Sequence, residues 1–428
     1  MSDSVSRSRL PIRMIGLALA AGACTHAAAQ AGDATATAPA PPVTSTLIYD
    51  GDALSNLRGG AARGSNYQGM LRWQTSVDAE RAWGWANTSA YANVMATHHA
   101  GTLGLTGDAQ GVSNIAAPSG VRLEEAWIQR NFLDGRWSAL VGRYDLASEF
   151  YRLNSAGLFL NSSFGIGPEF GQSGQGGPSI FPATATGARL AFKPAHDVVL
   201  RAAVLDGVPV DRDGGGARAF RGGDGLLIVA EVAWLGRAAP AGQQADRRYL
   251  IGRASGLDPY QDKLAVGAWH YTAQFDDLSA QDANGQALRR HGSSGAYLVA
   301  DRLLYQQSAQ DGGRVAGFVQ LGAADARVNR FDGYLGIGVV ATGFVPGRPT
   351  DELGLAAAMA RNGRHYLLGQ QGLGLATERA ETTLELTYLS QVNPHLSLQP
   401  NLQYVIHPNT VSTQARALTL QLRAEVAF

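Results

Sequence analysis

Two short clusters in this chain have the residue types of reaction centres: His395 with Ser397, a base beside a hydroxyl, and the imidazole pair His98 and His99. Their spacing argues against both readings. Side chains alternate along an extended strand, so Leu396 and Leu398 claim one face and send His395 and Ser397 to the other, or to a turn. A lipid hydrolase, the natural enzyme for such a dyad, needs its nucleophile toward lipid and a third group to orient the base. Adjacent histidines diverge across a strand and make a poor chelate, which fits a solvated loop. No P-loop pattern occurs. The sequence therefore offers no catalytic residue, no metal site and no cofactor.

A different chemistry is better placed. Arg189 and Lys193 alternate with Leu190 and Phe192; Arg201 stands opposite Leu200, Ala202 and Val204; Glu231 stands opposite Leu226, Ile228, Ala230, Val232 and Trp234. Charge recurs on one face only of each segment. Such a face either lines water, where guanidinium and carboxylate groups trade hydrogen bonds with a polar solute, or pairs internally and stiffens a wall. Residues 154–182 add Asn154, Asn161, Phe164, Glu169 and Gln172 with hardly any charge, in a run too long for a tight turn. Folded inward, that run would narrow a channel, and Arg143 and Asp145 just before it would reach the same zone.

The elements that must carry these residues are strands. From Tyr67 onward the chain alternates in segments of about ten residues, the length a tilted strand needs to cross a bilayer. The last is the cleanest: Leu418, Leu420, Leu422, Ala424, Val426 and Phe428 share a face, opposite Thr419, Gln421, Arg423 and Glu425. Leu418, Leu420, Leu422 and Val426 are expected to face lipid and the polar set a watery lumen. Hydrophobic residues make up 45% of the 428 residues, charged ones 16%, and 53 are Gly, which suits many turns. A closed antiparallel barrel of about sixteen strands follows, wide enough for an aqueous channel. Trp73, Trp83, Trp85, Trp127, Trp137, Trp234, Trp269 and Tyr404 would form its interfacial girdles.

The N-terminus supplies the address. Arg7, Arg9 and Arg13 precede the apolar run from Met14 to Ala23 and the small residues Ala27-Ala28-Ala29, the pattern of a secretory signal peptide over 1–29. Its removal takes three arginines and Asp3 from a balance of 35 basic and 35 acidic residues, leaving −2, so nucleic acid is not an expected partner. Cys24, the single cysteine, is read as part of the discarded peptide rather than as a lipid anchor, which excludes disulfides and thiolate metal sites. Residues 30–64 read as a flexible periplasmic segment, and 65–428 as an outer-membrane barrel domain.

Residues 142–190 run GRYDLASEFYRLNSAGLFLNSSFGIGPEFGQSGQGGPSIFPATATGARL, and the chain later carries RAAVLDGVPV from Arg201 and ETTLELTYLSQVNPHLSLQPNLQYVIHP from Glu381. This resembles the carbohydrate-selective porins of the OprB family. The resemblance implies an all-β, sixteen-stranded transmembrane barrel in the outer membrane that admits glucose and related sugars by facilitated diffusion. Arg189, Arg201, Glu231, Arg143, Asp145 and the polar residues of 154–182 are then expected at the constriction, with Arg201 touching the sugar. The Gly- and Gln-rich stretch 171–177 and the run DRDGGGARAFRGG from Asp211 depart from the family pattern at the channel mouth. A terminal Phe428 resembles the signal read by the barrel-assembly machinery. Sugars and outer-membrane lipid are the expected partners; a homotrimer is compatible with the pattern, as is a monomer. The rival readings are a general diffusion porin without a sugar site and, more remotely, an outer-membrane enzyme such as a lipase.

Overall fold

The computed structural model describes residues 41–209, 220–238, 260–307 and 312–428. The alternating segments become β1 (Val43–Arg58), β2 (Gly64–Asp78), β3 (Thr88–Ala100), β4 (Gly120–Phe132), β5 (Trp137–Tyr144), β6 (Ala185–Ala195), β7 (Val198–Asp206) and β8 (Leu226–Ala238). β9 (Tyr260–Gln281), β10 (Ala287–Gln306), β11 (Arg314–Ala324), β12 (Phe331–Thr342), β13 (Glu352–Asn362), β14 (Ala380–Asn393), β15 (Leu396–Ile406) and β16 (Ala417–Ala427) continue the series. Each strand pairs antiparallel with its neighbours in sequence, and β1 pairs with β16 to close the barrel. Closure satisfies every strand edge, the condition for crossing hydrocarbon as a sheet.

The terminal strand adopts the register read from its sequence. Leu420 and Leu422 are 48% and 47% exposed on the outer wall, whereas Thr419 and Gln421 are buried inside. Leu190, Leu200, Val204, Ile228, Trp234, Leu384 and Leu386 are also exposed outward, opposite buried Arg189, Arg201, Glu231 and Glu385.

The expected boundary at residue 64 is corrected. β1 begins at Val43, within the segment read as a flexible lead-in, and residues 48–58 pair with β16. Ile48, Asp50, Asp52, Leu54 and Asn56 are buried inside while Leu47, Ala53 and Leu57 are exposed outside. With two aspartates on its inner face, this strand has weak hydrophobicity and reads as a linker until its partners are known. The signal peptide read over 1–29 and part of the run from Asp211 lie outside the described residues.

Loop lengths orient the barrel, because outer-membrane barrels have short periplasmic turns and long extracellular loops. The connections 133–136, 196–197 and 394–395 are short and share one end; the connections 101–119 and 145–184 emerge at the other. At the periplasmic end Trp73, Trp83, Trp85 and Trp234 are exposed, and Trp137 stacks outside between Phe132 and Phe192, with centroids 6.3 and 4.3 Å away. Tyr404 lies outside, near the other rim. Trp127 and Trp269 are corrections: both point inward, Trp127 beside Glu125 and Trp269 stacked on Phe170 of the long loop. His98 and His99 are corrected too, since they lie in β3, with His98 on the outer wall 3.1 Å from the Tyr49 hydroxyl.

Candidate functional site

The connection 145–184 folds back into the barrel, and inner-wall carboxylates hold it there by accepting its backbone N–H groups. Tyr151 N donates to Glu231 Oε2 at 2.9 Å, Ser155 N to Asp301 Oδ2 at 2.9 Å, and Leu160 N and Asn161 N to the two oxygens of Glu385 at 2.7 and 3.0 Å. These contacts run from β8 through β10 to β14. Chain crossing a lumen has no ladder for its N–H groups, so charged acceptors on the wall replace one. Gln399 and Gln320 donate in turn to the carbonyls of Leu158 and Phe164.

The loop brings an apolar core inside the barrel. Phe159 and Phe164 pack on Phe318, and Tyr151 packs on Tyr297. Small residues on the wall make room: a side chain at Gly354 would strike Leu158 and Phe159, and one at Gly322 would strike the Glu169 carboxyl. The half of the lumen beside β5 and β7–β13 is thus filled. The connection 101–119 lines the opposite side, its Ala109 N and Gln110 N donating to Glu381, and Gln172 of the long loop donates to the Ala109 carbonyl at 2.6 Å.

Arg189, Arg201 and Glu231 do face inward, but beneath the loop. Arg189 makes a fork to Glu149 (2.8 and 3.1 Å) and also donates to Ser138 and Gln129. Although burial opposes ionisation, the guanidinium of Arg189, aided by that of Arg201, holds the Glu149 carboxyl below its ordinary range. Arg201 is 2% exposed and pairs with Glu231 at 3.0 Å; Tyr297 and Lys263 also reach Glu231, at 2.9 and 3.5 Å. Asn161, Phe164 and Glu169 are buried in the docked loop, Asn154 is half-buried beside Ser155, and Gln172 is exposed. Arg143 donates to Thr184, and Asp145 caps the turn at Ala147 while its backbone N–H reaches Glu125.

The unfilled half of the lumen is polar. On the wall of β1–β4 and β16, Arg72 pairs with Asp50 at 2.6 Å, and Arg423 makes a fork to Asp52 at 2.7 and 2.7 Å; Gln421 and Ser113 also donate to Asp52. A bulge shapes β4: Asn93 faces Glu125 while Val94 faces Leu123, leaving Glu124 as the extra residue. Both Glu124 and Glu125 therefore point inward, Glu124 accepting from Asn93 at 2.7 Å and Glu125 from the Trp127 indole at 3.3 Å. Trp127 stacks on Tyr91, centroids 5.3 Å apart and planes at 28°. Tyr91, Trp127, Glu425 and Asp145 are partly exposed on this inner surface, and Arg72 and Arg423 keep 14% and 11% of their side-chain surface open to it. An aromatic face beside fixed donors and acceptors is a surface for a neutral, hydroxyl-rich ring. Sequence reading missed it by assigning Trp127 to the girdle. The usable signal was Glu124-Glu125, since strict alternation would push one carboxylate into lipid.

The family model described as carbohydrate-selective porin, OprB family, matches residues 62–428. Porin B of Pseudomonas aeruginosa is 23% identical over 416 residues, covering 89% of this chain and 87% of that protein. The high-pH structure of Pseudomonas putida OprB superposes with a TM-score of 0.74 at 19% identity, over 90% of this chain and 94% of that one. The low-pH structure of the same protein gives 0.54 at 16% identity, over 90% and 93%.

Proposed function

Since the chain belongs to the carbohydrate-selective porins of the OprB family and is an outer-membrane sugar porin, we propose that glucose and related sugars diffuse through it along the polar wall of β1–β4 and β16. The observation that carries this route is the half-exposed Tyr91–Trp127 stack beside Glu125. A sugar ring lays its C–H face on the indole. Its edge hydroxyls donate to Glu124, Glu125 and Glu425 and accept from Arg72 and Arg423. Arg72, Arg423, Glu124 and Glu125 already have partners within the protein, so the exchange is nearly neutral and the sugar leaves as readily as it enters.

Arg189, Arg201 and Glu231 act one step back in this reading. They anchor the 149–155 stretch, and the docked loop sets the width of the channel. Asn154, Gln172, Arg143 and Asp145 belong to its accessible margin, whereas Asn161, Phe164 and Glu169 hold it in place.

The test is conductance in planar bilayers with glucose added. Concentration-dependent block of the ion current, weakened by Trp127→Ala, is expected. An open channel with no block at any glucose concentration would make this a general diffusion pore, and the stack an ordinary wall contact.

A further inference from the structure

The outer wall of β4–β7 carries a groove of about 830 Å³ near the periplasmic end. Ala139, Ala188 and Ala202 contribute little volume to it, so the wall is recessed between Ile128, Val141 and Leu190. Trp85, in the turn after β2, closes one side. This is a membrane-facing surface shaped for a hydrocarbon chain, and it contains one group that hydrocarbon cannot satisfy. Arg130 lines the groove, is exposed, and makes no ion pair or hydrogen bond among the described residues.

The height of Arg130 decides what can satisfy it. Arg130 faces Ala139 across the β4–β5 ladder, one outward position before Phe132 facing Trp137. Trp137, Phe132 and Phe192 form the aromatic cluster at this end, and the Arg136 guanidinium lies 5.7 Å over the Phe192 ring. Aromatic girdles mark the headgroup level, where an outward arginine costs far less than at the midplane of the hydrocarbon layer. Asp134, in the turn, lines a neighbouring cavity with Arg136 and Lys193 and makes no ion pair or hydrogen bond with Arg130.

We propose that this groove binds one glycerophospholipid of the periplasmic leaflet, with an acyl chain along the alanine floor and the phosphate on Arg130. The guanidinium fork matches two phosphate oxygens, and the recessed floor gives the chain more contact than the convex wall elsewhere. The site is independent of the sugar route, which lies on the inside of the barrel.

Native mass spectrometry of the delipidated, full-length barrel tests it, with added phosphatidylglycerol or diacylglycerol of the same chains. One phosphatidylglycerol per chain should be retained, and diacylglycerol should not. Arg130→Gln should weaken retention about tenfold, the loss of a charge-assisted pair, and Arg130→Lys, which keeps the charge but not the fork, should recover only part of it. Ala188→Leu, which fills the floor, should weaken it as well, while Ala357→Leu on the far outer wall should not. Heat-modifiable electrophoretic migration reports folding of each variant. Equal retention by the wild type, Arg130→Gln and Ala188→Leu would overturn the site, as would equal retention of diacylglycerol.

Discussion

Trp127 reaches the lumen because β4 gains one residue at Glu124, and the same bulge turns Glu124 and Glu125 to the same side. The indole is held by its own neighbours, through the Glu125 carboxylate and the Tyr91 ring. Trp127→Ala removes the platform and leaves the hydrogen-bonding groups. The glucose concentration for half-block should rise roughly three- to tenfold, the worth of one ring contact, with little loss of conductance. Glu169 carries a different prediction. Burial pushes its carboxyl up to about 7, and its Oε2 has no partner among the described residues. A folded-state pKa above the ordinary carboxylate value means that docking is favoured while Glu169 is protonated and that this contribution is lost as pH rises through about 7. Single-channel conductance should therefore step up between pH 6 and pH 8. Glu169→Gln should stay near the low-pH level throughout. A step that survives in Glu169→Gln would point instead to Asp108, which burial and the nearby Glu381 charge also push up to about 7.

The long loop is the element in which sequence and structure part company most usefully. Length and a nearly charge-free composition raised an inward fold as one of two readings, the other being a surface loop shaped by Gly and Pro; the aromatic surface of Phe159, Phe164 and Phe170 is what it buries. The partners were not legible, since Glu231, Asp301 and Glu385 lie far along the chain and look like any inward charge of an alternating strand. Parity placed Arg201 and Glu231 on the correct wall; it could not tell whether the lumen beside them was open or occupied. Occupancy changes what Arg201→Ala should do. Removing Arg201 leaves Glu231 with Lys263, Tyr297 and the Tyr151 N–H, so the loss should fall below the ~3–5 kcal/mol of a fully uncompensated buried charge. Tyr151 would lose a fixed anchor, so the loop should loosen, giving a larger and noisier conductance and a lower unfolding temperature. The double variant Arg201→Met with Glu231→Gln should recover only part of that temperature, because it removes both members of the pair but also takes the Glu231 carboxylate from buried Lys263. Unchanged conductance in folded Arg201→Ala would show that the loop does not depend on this pair.

At the scale of the molecule, alternation together with the export signal and the amphipathic terminal strand pointed to the barrel, because hydrocarbon outside and water inside fix which face of a strand is apolar. β1 escaped notice for the same reason that it works: it supplies Asp50 and Asp52 to the polar wall and closes the sheet with few apolar residues of its own. This gives inward direction and accessibility different meanings, which thiol labelling can separate. Consider a barrel with Cys24 replaced by Ser and one cysteine introduced at a time on β16. Leu420→Cys faces lipid and should resist a water-soluble reagent. Gln421→Cys points inward but lies where Asp52 and Ser113 crowd the wall, so it should label slowly. Glu425→Cys, half-exposed toward the periplasmic mouth on the polar side, should label fast, and glucose at blocking concentration should slow that reaction if sugar passes along this wall. Fast labelling at Leu420→Cys with none at Glu425→Cys would require every side chain of the closing strand to change faces, and with it the pairing of Asp52 with Arg423 that joins the two ends of the chain.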